Sequence, residues 1–190
     1  MAIRMRPRSC RVACLVVATF CAWSTGQAFE VRRADARFEE RQFHVELELV
    51  LDAPPTRVEA VLRDYADYPR LDPSILESTV LDRPDSETVM LFTKLRACSG
   101  IFCHTVNRVE RVREGVLELT AEAVPERSDV SSGYTYTRLQ SLDGRTLVRY
   151  RTSMAPKFWV PAFIARPLML RTLRQASVDL FRHIEAHARQ

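Results

Sequence analysis

The most constraining feature of this sequence is a long central region in which almost every segment has the composition of a β-strand. Six segments between Ser78 and Met154 are rich in Val, Leu, Thr and aromatic residues, and turn-forming clusters separate them. One cluster, Asp143-Gly144, is a strong two-residue hairpin pattern. Sequential hairpins predict an antiparallel meander with strands at Ser78–Leu81, Thr88–Ala97, His104–Arg113, Val116–Val124, Gly133–Leu142 and Thr146–Met154.

A further strand precedes this region. Residues Phe43–Leu51 alternate apolar and polar side chains, which is typical of a strand with one buried and one wet face. The period then changes, and apolar residues three and four apart from Val58 to Tyr65 predict a helix that Pro69 ends. The set predicted to be buried on the strand is Phe43, Val45, Leu47, Leu49 and Leu51.

The end of the chain is predicted to form a long amphipathic helix, because apolar residues recur every three or four positions from Leu170 to Ala188. An antiparallel sheet of six to seven strands must bury one face, and only this helix is long enough to cover it. The sequence therefore predicts an α+β domain in which a curved antiparallel sheet wraps around a C-terminal helix. Space left between them would be an apolar cavity.

The first 28 residues are predicted to be a signal peptide. A basic stretch from Arg4 to Arg11 precedes an apolar core, Val12–Trp23, and the small-residue cleavage site Gly26-Gln27-Ala28. We therefore expect a mature domain over residues 29–190, exported to the periplasm; a retained N-terminal anchor is the alternative. Loss of four arginines lowers the formal net charge from +4 to zero, which argues against nucleic-acid binding.

Two cysteines, Cys98 and Cys103, lie outside the leader. An even number of cysteines in an oxidising compartment favours a disulfide over free thiols. A metal site is less favoured, because His104 follows but a second cluster of Cys or His ligands does not.

The chain resembles the START, Bet-v-like and polyketide cyclase/dehydrase superfamily, also called SRPBCC. The resemblance lies in the first strand with Asp52-Ala-Pro-Pro-Thr-Arg-Val58, and in the run from Val61 through Asp64-Tyr65-Ala-Asp-Tyr-Pro69 to Pro73. Trp159-Val-Pro161 before the last helix is similar to exported coenzyme Q-binding or lipid-transport START-like proteins. The resemblance implies a helix-grip fold and a hydrophobic ligand such as a lipid or isoprenoid quinone.

Candidate ligand-contacting residues follow from the periodicity. We expect these residues to line the core or the cavity: Phe43, Val45, Leu47, Leu49, Phe92, Tyr136, Leu173, Leu180 and Phe181. On one predicted strand Tyr134, Tyr136 and Arg138 share a face. That face is either a solvated outer surface paired with Glu118 and Glu122 or a polar end of the cavity. No residue is assigned a catalytic role, and we expect neither a cofactor nor a metal.

The apolar stretch before the last helix is a candidate membrane gate formed by Phe158, Trp159, Phe163 and Ile164. Basic residues surround it: Lys157, Arg166, Arg171 and Arg174. Such a stretch suits peripheral docking at an anionic membrane; alternatively, it only closes the cavity. Three functional hypotheses remain: a carrier of a hydrophobic molecule, a cyclase-like enzyme that uses Tyr and Arg groups in the cavity, and an interaction protein with a filled core.

Overall fold

The computed structural model describes residues 29–99, 102–158 and 169–190. Within these ranges, eight strands form one antiparallel sheet in the order β1-β2-β8-β7-β6-β5-β4-β3. The strands are β1 (Glu30–Glu39), β2 (Gln42–Leu51), β3 (Ile75–Asp82), β4 (Thr88–Ser99), β5 (Phe102–Gly115), β6 (Glu118–Ala123), β7 (Val130–Leu142) and β8 (Arg145–Pro156). The predicted α+β class and the helix-grip arrangement are confirmed.

The helices connect and cover this sheet. Helix α1 (Pro55–Arg63) and the short α2 (Tyr68–Leu71) join β2 to β3, and a 3-10 turn at Tyr65–Asp67 lies between them. Helix α3 (Leu170–Ala188) is the long C-terminal helix, and a second 3-10 turn at Pro125–Arg127 separates β6 from β7. Among the described residues, no helix is both long enough and apolar enough to cross a membrane.

Strand β1 was not predicted, and it raises the strand number above the expected six to seven. It pairs with β2 and forms one edge of the sheet. Most of its residues are exposed or half-buried, because charged side chains alternate with small ones along Glu30–Glu39. A strand of that composition has a weaker apolar alternation than the strands that were recognised.

Tight turns fix the register of the hairpins. Asp143 and Gly144 both have positive φ, 49° and 80°, as the predicted two-residue turn between β7 and β8 requires. The turn between β1 and β2 has the same handedness at Glu40 and Arg41, with φ of 50° and 64°, although neither residue is glycine.

The core lies between the inner face of the sheet and α3. Every residue of the predicted buried set on β2 is buried, from Phe43 to Leu51. Helix α3 contributes Val178, Phe181, Ile184 and Ala188 to the same core. The apolar periodicity of both elements therefore identified the faces that meet.

Cys98 and Cys103 form a disulfide. They are directly opposite each other in the β4–β5 hairpin, so the bond joins the two strands close to their connecting turn. Loss of the conformational freedom of the unfolded chain is the usual source of stabilisation by such a bond.

Candidate ligand-binding cavity

A cavity of about 360 Å³ lies between the inner face of the sheet and α3. This volume is within the range of small-molecule sites, which begins at roughly 300 Å³. Most of the lining is apolar. The apolar side chains from the sheet include Phe43, Val45, Leu91, Leu95, Val106, Val112 and Leu119, and those from α3 include Leu173, Leu180, Phe181 and Ile184.

Two tyrosines line the cavity from the segment after α1: Tyr65 lies in the 3-10 turn and Tyr68 in α2. The Tyr65 hydroxyl donates to Glu114 Oε1 at 2.6 Å, and the Tyr68 hydroxyl donates to the Leu62 carbonyl at 2.7 Å. Glu59 Oε1 also accepts from the Leu117 amide at 2.9 Å, which fastens α1 to the β5–β6 turn. Both tyrosine hydroxyls thus have their acceptors within the protein.

A charged pair lies within this apolar lining. Arg108 and Glu110 stand two residues apart on β5, so both point to the inner face. Arg108 Nε lies 3.1 Å from Glu110 Oε2, and the two side chains are 21% and 5% exposed. A burial this deep is rare for charged side chains unless they are paired or functional.

The tyrosines near this pair are held in the neutral form. Burial raises the pKa of Tyr68 well above its usual range, and the negative charge of Glu110 adds to the effect. Burial likewise raises the pKa of Tyr150, while the positive charge of Arg108 opposes the rise. At physiological pH both phenols are therefore un-ionised hydroxyl groups in the wall of the cavity.

Hydroxyl groups from β7 and β8 complete the polar part of the wall. Thr135 and Thr152 are register partners, and their Oγ1 atoms are 2.9 Å apart. Thr93 also lines the cavity, but its buried Oγ1 has no hydrogen-bond partner among the described residues. The site therefore offers donors and acceptors at a few points within a mainly apolar surface.

The predicted contact residues divide into three groups. Phe43, Val45, Leu173, Leu180 and Phe181 line the cavity. Leu47 and Leu49 are buried in the core beside it but are not among the lining residues. Contact of any of them with a ligand stays a prediction.

Phe92 and Tyr136 require a correction, because they lie on the other face of the sheet. On β4 Leu91 and Thr93 line the cavity, so Phe92 between them points outward. On β7 Thr135 and Thr137 line the cavity, which places Tyr136 outside.

The face of β7 that carries Tyr134, Tyr136 and Arg138 is the solvated outer surface, the first of the two predicted alternatives. The Tyr136 hydroxyl donates to Glu118 Oε2 at 3.1 Å, and Arg138 Nη1 donates to the same oxygen at 2.6 Å. Tyr134 is 43% exposed on this face. These groups do not form a polar end of the cavity.

Sequence reasoning missed Arg108, Glu110 and Tyr68. Charged residues on a predicted strand are normally assigned to the wet face, and here they occupy the inner one. A signal was present, because residues 106, 108, 110 and 112 of one strand point to the same face. Val106 and Val112 are apolar, so their positions already indicated that Arg108 and Glu110 between them face the interior.

The candidate membrane gate lies largely outside the described residues. Trp159, Phe163 and Ile164 fall within 159–168, and so does Arg166. Phe158 is half-buried, and its ring packs on His104 of β5 at a centroid distance of 4.3 Å. The described residues begin again at Met169, the N-cap of α3, and Met169 lines the cavity.

A smaller depression of about 270 Å³ lies between α1 and the end of α3. It is lined by Arg57, Asp64, Asp67 and His187 beside small apolar residues. In the described part of the chain, no three His, Cys, Asp or Glu residues are grouped so that they could hold a metal ion. The larger cavity is the better candidate site, because it is apolar and enclosed by the sheet and α3.

The fold is shared with solved structures of low sequence identity. A STAR-related lipid transfer protein from Xanthomonas axonopodis (fragment 25–204) superposes with a TM-score of 0.65 at 16% identity, over 85% of this chain and 99% of that one. The Zhui aromatase/cyclase from Streptomyces sp. R1128 superposes with a TM-score of 0.59 at 16% identity, over 78% of this chain and 94% of that one. For a START superfamily protein from Mycobacterium smegmatis the TM-score is 0.60 at 16% identity, over 77% of this chain and 97% of that one.

None of the curated proteins compared with the chain matches it significantly. The family described as polyketide cyclase/dehydrase and lipid transport, in contrast, matches residues 42–189, from β2 to the end of α3. That match includes the sheet strands and helices that enclose the cavity, and it spans well over half of the sequence. The chain therefore belongs to the polyketide cyclase/dehydrase and lipid transport family.

Proposed function

We propose that this protein is an exported binding or transport protein that holds a hydrophobic small molecule between its sheet and α3. The observation that carries the proposal is the cavity of about 360 Å³ with a mainly apolar wall. Each methylene group transferred from water to such a wall contributes about 0.8 kcal/mol. A chain of ten or more carbons would therefore bind without requiring many specific contacts.

The relatives support the lipid or isoprenoid quinone class as the ligand. The family description includes lipid transport, and one of the similar structures is a STAR-related lipid transfer protein. The sequence resemblance to exported coenzyme Q-binding START-like proteins supports a quinone. At 16% identity the structural neighbours support the fold, and the ligand class rests on the apolar wall.

Export is the second part of the proposal. The basic and apolar character of residues 1–28, the cleavage site before Phe29 and the Cys98–Cys103 disulfide support it. Expression of the full chain in a Gram-negative host, with fractionation and N-terminal sequencing, tests it. We expect a periplasmic protein that begins near Phe29; an uncleaved chain in the membrane fraction would contradict this.

The membrane gate is the third part. A carrier must move its ligand between apolar phases, and the stretch with Phe158, Trp159, Phe163 and Ile164 lies next to basic Arg171 and Arg174. We expect Trp159→Ser with Phe163→Ser to reduce binding to anionic phospholipid vesicles and to leave thermal stability unchanged. Sedimentation with vesicles measures the first, and circular dichroism the second.

Ligand carriage is tested on the purified mature protein by native mass spectrometry and organic extraction. We expect a copurifying hydrophobic molecule, and a rise in melting temperature with quinones or lipids. Ala121→Phe fills the cavity from β6 and should abolish both effects, whereas Glu122→Phe adds the same ring on the outer face and should not. Absence of any bound molecule and of any thermal shift would refute carriage.

A cyclase-like activity is the second candidate, because Tyr150 and Arg108 line the cavity and could polarise a carbonyl. The Zhui aromatase/cyclase shares the fold. The described residues that line the cavity include no histidine, which would be the most suitable general base. Incubation with a poly-β-ketone substrate and detection of an aromatic product would favour the enzyme over the carrier.

A filled-core interaction protein is the least supported hypothesis. It predicts an interior without a cavity of ligand size, whereas the space between the sheet and α3 is about 360 Å³.

A further inference from the structure

The Arg108–Glu110 pair has hydrogen-bonding capacity that the protein does not use. Arg108 Nε is buried and lies 3.1 Å from Glu110 Oε2, yet it lacks the alignment of a hydrogen bond. Among the described residues, the side chains of Arg108 and Glu110 make no hydrogen bond besides this contact. Both side chains line the cavity, so these unused groups are available to a molecule inside it.

The pair adds little to the fold. Some ion pairs of the protein join separate elements: Arg63 of α1 reaches Glu114 of β5 at 4.0 Å, and Arg189 after α3 reaches Asp52 after β2 at 3.6 Å. Arg108 and Glu110, in contrast, are near neighbours on one strand, and their contact ties no two elements together. Burial of two charges is expensive, and an apolar pair of similar size would serve stability as well or better.

The net charge of the cavity wall limits which head group can lie there. Among the described lining residues, the charges of Arg108 and Glu110 cancel each other, and so do those of Arg96 and Asp72. Tyr68 and Tyr150 contribute un-ionised hydroxyls. A carboxylate or phosphate beside the pair would be attracted by Arg108 and repelled by Glu110, and its own loss of hydration would stay uncompensated.

We propose that the Arg108–Glu110 pair binds an uncharged oxygen head group, a hydroxyl or carbonyl, and that the cavity discriminates against amphiphiles with anionic heads. Arg108 donates to the head-group oxygen, and Glu110 accepts from it where the head is a hydroxyl. The apolar chain then extends along the lining residues of α3. This inference rests on the proposed carrier function and specifies its ligand class.

The test uses three probes with the same chain and different heads: tetradecane, tetradecanol and tetradecanoate. Their affinities for the mature protein are measured by displacement of the uncharged fluorophore N-phenyl-1-naphthylamine at pH 8, where the acid is ionised. We expect tetradecanol to bind about tenfold or more tightly than either of the others, since a hydrogen bond to a charged group is worth at least that factor.

Two variants of the pair sharpen the test. Glu110→Gln leaves the charge of Arg108 unopposed, so the preference should reverse, with tetradecanoate gaining about tenfold and passing tetradecanol. The double variant Arg108→Met with Glu110→Leu removes both charges, so neither is left buried without its partner. This variant should bind tetradecane and tetradecanol with equal affinity. Arg138→Gln, in the exposed pair on the outer face, is the control and should leave all three affinities unchanged.

The outcomes separate the two proposals. If none of the probes displaces the fluorophore or binds, the carrier function fails and the head-group inference fails with it. If the probes bind but wild-type protein prefers tetradecanoate, or does not distinguish tetradecanol from tetradecane, the inference alone is overturned. Folding of each variant is checked by circular dichroism, and the double variant keeps the comparison valid if Glu110→Gln does not fold.

Discussion

The two faces of the sheet carry the same kind of ion pair in opposite surroundings. On the outer face, Arg138 of β7 and Glu118 of β6 approach to 2.6 Å across the strands, with side chains 50% and 35% exposed. On the inner face, Arg108 and Glu110 are 3.1 Å apart along one strand, with side chains only 21% and 5% exposed. The shorter outer contact is expected to contribute less to stability, because water screens it more than it screens the inner pair.

The same contrast holds for uncharged groups. The Tyr136 hydroxyl on the outer face has a partner, whereas the Thr93 hydroxyl on the inner face has none among the described residues. An outer face can satisfy its polar groups with water as well as with protein. Unused polar groups on the inner face are therefore informative about function, while those on the outer face are not.

The largest expected difference between the faces concerns apolar packing. Phe181→Ala removes a side chain that is 1% exposed in the core against β2 and β8, and should lower the free energy of unfolding by about 3–5 kcal/mol. Tyr134→Ala on the outer face should change it by less than about 0.5 kcal/mol. Urea denaturation followed by circular dichroism measures both; equal losses would show that the inner face is not the core.

The next difference concerns the ion pairs. Arg108→Met leaves Glu110 buried without its partner and should destabilise the protein by about 3 kcal/mol, the low end for a broken buried pair, because the cavity has room for water. Arg138→Met should have no measurable effect. Thermal unfolding compares the two variants, and an inner substitution without effect would mean that Glu110 is solvated in the folded state.

A smaller effect of opposite sign is expected at Thr93. Thr93→Val keeps the shape of the side chain and removes a buried hydroxyl that lacks a partner, so stability should rise by about 1 kcal/mol. Thr105→Val, on the exposed side of β5, serves as the control and should be neutral. A loss of stability in Thr93→Val would show that the hydroxyl is hydrogen-bonded in solution.

The smallest effect concerns pH. Burial raises the pKa of Glu185 on α3, against the opposing charge of Arg189. A carboxyl whose pKa is higher in the folded state stabilises the protein in acid, and this contribution is lost as pH rises through the folded pKa. Glu185→Gln resembles the protonated form and should therefore be more stable than wild type at pH 7 but not at pH 4.

Urea titrations at the two pH values measure this difference, with the exposed Glu126→Gln as control. A Gln variant that is less stable than wild type at pH 7 would show that the ion pair with Arg189, at 3.4 Å, outweighs burial.

The sequence predicted the fold well because its strands and last helix have one apolar face each. The alternation of β2 identified Phe43, Val45 and Leu47 as buried, and the helical period of α3 identified Phe181. Strand β1 escaped prediction because its alternation is weak: the residues that alternate with its charged ones and pack against the core, Ala34 and Ala36, are small. Such small side chains give little of the apolar periodicity by which a strand is recognised.

The site was harder to predict, since alternation shows which residues share a face but not which face is inside. For β7 the prediction that Tyr136 and Arg138 share a face was correct. Their contacts with Glu118 in the structure show that this face is the outer one. For β4 the same ambiguity misplaced Phe92. Arg108 and Glu110 were missed because their burial depends on the cavity, which is a property of the assembled sheet and helix.

The two edges of the open sheet differ in their capacity to recruit other chains. Strand β1 ends the sheet with charged residues, whereas β3 exposes Leu76, Val80 and Leu81 on an edge that pairs with no described strand. Charge discourages the addition of a foreign strand, and exposed aliphatic side chains favour it. At high protein concentration or during folding, aggregation is therefore expected to start from the β3 edge, and a lysine in place of Val80 would make the protein easier to concentrate.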